Sequence, residues 1–121
     1  MKKEAENWFR QAEDDLGTSE DCMKSKRYRA SAFYSQQASE KALKALQIQK
    51  FSRFDKVHDL LALAGTVNAP DEVIGCCVKL NPYYTITRYP DVGVAINERT
   101  AEELVCKSRK VLEWAKQSLK Q

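Results

Sequence analysis

The stretch from Arg29 to Lys50, RASAFYSQQASEKALKALQIQK, contains neither Gly nor Pro, and this constrains the fold more than any other feature. Its apolar residues Ala30, Phe33, Tyr34, Ala38, Ala42, Ala45, Leu46 and Ile48 are mostly spaced by three or four, the repeat of one helix face. Ala, Leu, Lys, Gln and Glu dominate its second half, and all are strong helix formers. The small residues Ala30, Ala38, Ala42 and Ala45 let neighbouring helices approach closely. The pattern predicts the central helix of a small bundle. Gln36 and Gln37 interrupt the stripe, so one is expected in solvent and the other on a neighbouring backbone group.

The rest of the chain supplies partners for that helix. Ala5, Trp8, Phe9, Ala12, Leu16, Ser19 and Met23 trace a first helix over residues 3–24, joined by a short polar turn at residues 25–28. Gly17 within it marks a close approach or a slight bend. After a loop at residues 52–56, His58-Asp59 opens a short third helix, with Gly65 and Asn68 as stop signals. Pro70-Asp71-Glu72 starts a fourth, since Pro suits the first helical position and acids suit the first turn. Pro82 would break or kink that helix unless a new turn begins there. Residues 83–91, YYTITRYPD, have strand-like composition but no second strand to pair with, so a short helix with an irregular exit at Arg88-Tyr89-Pro90 is expected. A loop from Gly93 to Asn97 leads to a last helix that starts near Asn97 or Thr100, and Thr100 with Glu103 fits a capping box. The sum is an all-α, up-and-down bundle of about five helices in one domain over residues 1–121.

Composition narrows the function classes. A net charge of +3, with both signs interspersed, is too mild for a dedicated duplex-DNA binder. A single His leaves no zinc-ligand spacing with Cys22, Cys76, Cys77 and Cys106, so no metal or other cofactor is expected. The cysteines read as buried free thiols of a reducing compartment. With no apolar signal core and no run of about 18 apolar residues, a cytoplasmic location is expected.

Three stretches together resemble the HEPN domain family of small helical-bundle proteins: Ala32 to Leu46, the His58-Asp59-Leu60 helix start, and Leu80 to Asp91 with its paired Tyr followed by Arg-Tyr-Pro-Asp. The resemblance covers nearly the whole chain. It implies a homodimer, nucleotide binding, and, for many members, a minimal nucleotidyltransferase partner in a toxin–antitoxin pair. A large subset of the family are metal-independent ribonucleases, marked by an Arg followed, about four to six residues on, by a His on a late helix. Here the late helix has no His. Arg53 and His58 match that spacing, but ahead of the third helix.

Candidate site residues follow. Arg88 and Tyr84, four apart, would share one helix face, and a guanidinium beside a phenol suits phosphate with base or ribose contact. The plainer alternative pairs Arg88 with Asp91 or Asp59. Tyr83, Tyr84 and Tyr89 are candidates for base stacking. Lys41 would add phosphate charge, though Lys41 and Lys44 also fit a solvated face. Lys24, Lys26, Arg27 and Arg29 form the densest basic cluster. Two readings stand: a nucleotide-binding or nucleotidyltransferase-partner module built on Arg88 and the tyrosines, or a metal-independent ribonuclease using His58 as acid or base with Arg53 or Arg88 on the phosphate.

Overall fold

The computed structural model describes residues 1–92 and 94–121. Among the described residues six α-helices follow one another: α1 (Lys3–Lys24), α2 (Tyr28–Phe51), α3 (Leu60–Thr66), α4 (Asp71–Leu80), α5 (Tyr83–Arg88) and α6 (Glu98–Leu119), with a 3-10 turn at Pro90–Val92. No strand occurs among the described residues. The expected all-α bundle is therefore present. Its helix count reflects Pro82, which has no N–H to continue α4 and stands at the head of α5 instead. Gly93, the first residue of the expected loop, lies outside the described residues.

The three long helices run about 33–36 Å and make the frame. A tight turn with Lys26 in the left-handed region (φ 63°) reverses the chain from α1 into α2, so the two are antiparallel neighbours. α6 closes the layer against both, α4 packs on α6, and α3 and α5 lie along α2. Because α2 touches all five other helices, it is buried well beyond the one apolar face expected. Leu43, Leu46, Ile48 and the small residues Ala38, Ala42 and Ala45 have almost no exposure.

Two groups of buried polar residues stand out inside the bundle. One is a serine seam where α1, α2 and α6 meet. Ser19 Oγ sits 3.0 Å from Ser31 Oγ and 2.7 Å from Ser35 Oγ, and Ser39 Oγ donates to Ser108 Oγ at 2.9 Å. Ser108 Oγ donates to the Ser35 carbonyl at 2.9 Å, and Ser39 Oγ lies 3.0 Å from that same oxygen. These small hydroxyls fill the closest approach of the helices without an unmet donor. The second group contains Glu40 and Lys44 and belongs to the candidate site.

Helix ends differ in detail from the sequence pattern. Asp59 caps α3 by accepting from the Leu61 and Ala62 amides at 3.0 and 3.4 Å. Asn97, not Thr100, caps α6: its side chain accepts from the Thr100 amide at 2.9 Å, which places Thr100 inside the helix and removes the expected capping box. Ser52 (φ 60°) ends α2 and Asn68 (φ 56°) follows α3, both in the left-handed region. An added Cβ at Gly17 would meet nothing within 4 Å, so that glycine marks no close approach. All four cysteines are free, but only Cys76 and Cys77 are buried; Cys106 is exposed and Cys22 half-buried.

Candidate functional site

The candidate site lies where the loop before α3, the start of α5 and the middle of α2 converge. Gln47, buried on α2, fixes the loop: its Oε1 accepts from the Asp55 amide at 2.9 Å, and its Nε2 donates to Asp55 Oδ2 and Thr66 Oγ1 at 3.0 and 2.8 Å. Just beyond, Asn81 bridges the loop to the α4–α5 junction. It accepts from the Leu60 amide at 2.9 Å and donates to Asp59 Oδ1 at 3.1 Å. These bonds hold His58 over the first turn of α5.

There the His58 ring stacks on Tyr84, with centroids 4.1 Å apart and planes 14° from parallel. One turn on, the Arg88 guanidinium lies over the Tyr84 ring, 4.9 Å from its centroid. The i, i+4 spacing of Tyr84 and Arg88 thus places them together, as the sequence predicts. Cation–π attraction in such a pair contributes about 0.5–1 kcal/mol at an exposed site. Neither expected carboxylate takes Arg88: Asp59 serves the α3 cap and Asn81, and among the described residues no acid forms an ion pair with Arg88.

On its other side His58 meets a buried carboxylate. Its Nδ1 lies 3.1 Å from both Oε1 and Oε2 of Glu40, which is 5% exposed. Lys44 donates to Glu40 Oε2 at 3.0 Å and Gln36 to Oε1 at 3.4 Å. Lys44 is itself buried beside the rings of Trp8 and Phe54. Both lysines therefore depart from the solvated face. Lys41 is taken by the buried Asp15 of α1, and the structure does not bring it to the stack. Gln36 is fully buried in this chain, accepting from Gln37 Nε2 at 2.8 Å, instead of capping a neighbouring backbone.

The remaining candidates separate. Arg53 is exposed, bonds Asp55 at 2.9 Å and lies over the Phe51 ring, so the Arg53–His58 spacing does not become a paired site. Tyr83 packs against the core and Tyr89 is 54% exposed beyond the stack. Arg29, expected as part of a basic cluster, reaches across to the exit of α5. It donates to the Ile86 carbonyl and, at 3.4 Å each, to those of Tyr89 and Val94. Ile86 lies in the last turn of α5, whose carbonyls lack intrahelical donors, and Tyr89 and Val94 follow it. Glu40 is the residue that sequence reasoning missed. Its only trace was an acid inside the apolar stripe, one turn after Gln36.

The family model of the HEPN domain matches residues 5–119. The chain belongs to the HEPN domain family. Solved structures agree. An archaeal HEPN homologue, ST0689, is 31% identical over 98% of this chain and 99% of its own, with a TM-score of 0.83. TT1696 from Thermus thermophilus is 27% identical over 97% of this chain and 99% of its own, with a TM-score of 0.89. A HEPN domain protein of Thermotoga maritima, tm0613, shares the fold at 21% identity over 95% of this chain and 98% of its own, with a TM-score of 0.76. No curated protein matches the chain. In this HEPN domain no helix among the described residues is long and apolar enough to cross a membrane, and no group of His, Cys, Asp and Glu among them could hold a metal ion.

Proposed function

We propose that this HEPN domain is a nucleotide-binding module whose ligand sits on the His58–Tyr84–Arg88 stack. Arg88 takes a phosphate, and the aromatic surface contacts the base or ribose. The observation that carries this reading is the guanidinium held over Tyr84 with no acid paired to it among the described residues. Its surroundings preorganise it: Arg29 fixes the carbonyls behind it, and Asn81 and Asp59 fix the loop beside it. Action as a homodimer with a minimal nucleotidyltransferase, in a toxin–antitoxin pair, completes the proposal and rests on family membership. The test is a calorimetric titration of the purified protein with ATP, beside Arg88→Ala.

A second reading draws on the buried Glu40 behind His58. A carboxylate–imidazole pair next to an Arg is the arrangement a metal-independent ribonuclease uses to move a proton while phosphate charge builds. His58 would remove the 2′-hydroxyl proton as that oxygen attacks phosphorus, and the bond to the 5′-oxygen would break, leaving a 2′,3′-cyclic phosphate and a 5′-hydroxyl that takes its proton from water. Arg88, which lies on the stack while Arg53 bonds Asp55, would hold the phosphate. RNA cleavage in EDTA by the wild type, abolished in His58→Ala, is the expected outcome under this reading. Cleavage that survives His58→Ala eliminates it.

A further inference from the structure

We infer that Glu40 is a positioning residue: it fixes the His58 imidazole in the tautomer protonated at Nδ1 and so presents the Nε2 lone pair to a ligand. The inference rests on the proposed reading only in assigning that nitrogen a ligand to meet.

The carboxylate is an acceptor on both oxygens, and both lie 3.1 Å from Nδ1. An Nδ1 lone pair in that place would face two oxygens with nothing to donate. A proton on Nδ1 instead makes a charge-assisted bond. An unconstrained histidine side chain prefers the opposite tautomer, with the proton on Nε2. The protein must therefore hold Glu40 still, and it does so with buried groups. Lys44 Nζ is 3.0 Å from Oε2, and Gln36 Nε2 approaches Oε1 at 3.4 Å. Lys44 cannot swing away to water, because it is 4% exposed and lies beside Trp8 and Phe54. Gln36 is oriented in turn by the 2.8 Å bond it accepts from Gln37. The His58 side chain, by contrast, is about half exposed. With Nδ1 engaged on the buried side and one face against Tyr84, Nε2 is left as the ring's free polar atom. Neutral, it accepts from a hydroxyl; protonated, it donates to a phosphate oxygen. Metal-binding and triad histidines are fixed by an acceptor behind the ring in the same way.

The chain has one His, so its imidazole gives a single set of nitrogen signals. The experiment is long-range 1H–15N correlation of the ligand-free, 15N-labelled protein, read on the neutral form of the ring. The expected spectrum shows a protonated-type shift for Nδ1 and an unprotonated-type shift for Nε2. Glu40→Gln is nearly isosteric. Lys44 holds its oxygen in the place of Oε2, its amide nitrogen takes the place of Oε1 and faces His58 as a donor, and the two shifts exchange. A wild-type spectrum of the Nε2–H form overturns the inference, whether or not any variant folds. An unchanged tautomer in folded Glu40→Gln overturns Glu40 as its cause. Because the measurement needs no ligand, failure to bind ATP would remove the functional reading and leave the Glu40 assignment standing.

Discussion

Glu40 and Lys44 carry the largest energetic stake of any two side chains near the site, because both ions are almost fully removed from water. Burying a pair costs desolvation that only good geometry offsets, but removing one partner strands the other charge. Glu40→Ala leaves Lys44 without its carboxylate among aromatic rings, and is expected to lower stability by about 3–5 kcal/mol. The double change Glu40→Met with Lys44→Met fills the same space without charge, and is expected to restore most of that loss. Urea unfolding of the three proteins checks the ordering. A single variant as stable as wild type would mean that the pair is solvated.

At the scale of the element, α1 offers a clean case. Gly17 sits inside a 22-residue helix with nothing within 4 Å of where a Cβ would go. Gly17→Ala is expected to stabilise the protein by about 0.8–1.0 kcal/mol, read as a higher urea midpoint at unchanged slope. This element was fully legible in the sequence, as were α2 and α6, because each repeats its apolar residues over many turns. The α5 segment was also legible, though its composition favours strand: with no second strand available, the helix places Tyr84 and Arg88 together. The start of α6 was less so, since Thr100–Glu103 and Asn97 are both good caps and the chain chose the earlier. The site itself was half visible. Tyr84 with Arg88 is a local pair that spacing reveals. Glu40 with Lys44 is local too, but the same i, i+4 spacing describes a solvated surface pair. The loop carrying Phe54 and His58, folded over α2, buries it together with Trp8 of α1. The stacking of His58 on Tyr84 joins two elements through the Asn81 bridge, and no periodicity in the chain reports such a contact.

For the whole molecule, the fold sets a pH limit and a place for function. Burial pushes the Cys77 thiol up from its ordinary 9.0 to about 12. Between those values the unfolded chain has lost a proton that the folded chain keeps. This contribution is therefore complete below about pH 9 and is lost as pH rises toward 12. Stability measured by urea from pH 8 upward is expected to fall across that window, and Cys77→Ala, though less stable at pH 8, to fall less steeply. The same bundle holds an exposed cation, Arg88, on an aromatic stack backed by a buried carboxylate. Phosphate binding by this cation is the central functional claim. Calorimetric titration of wild type and Arg88→Ala with ATP tests it most directly. Bonds to a charged partner contribute about 1.5–3 kcal/mol, so the variant is expected to bind roughly ten- to a hundredfold more weakly. Equal affinity in the two proteins, or no binding by the wild type, would contradict that claim.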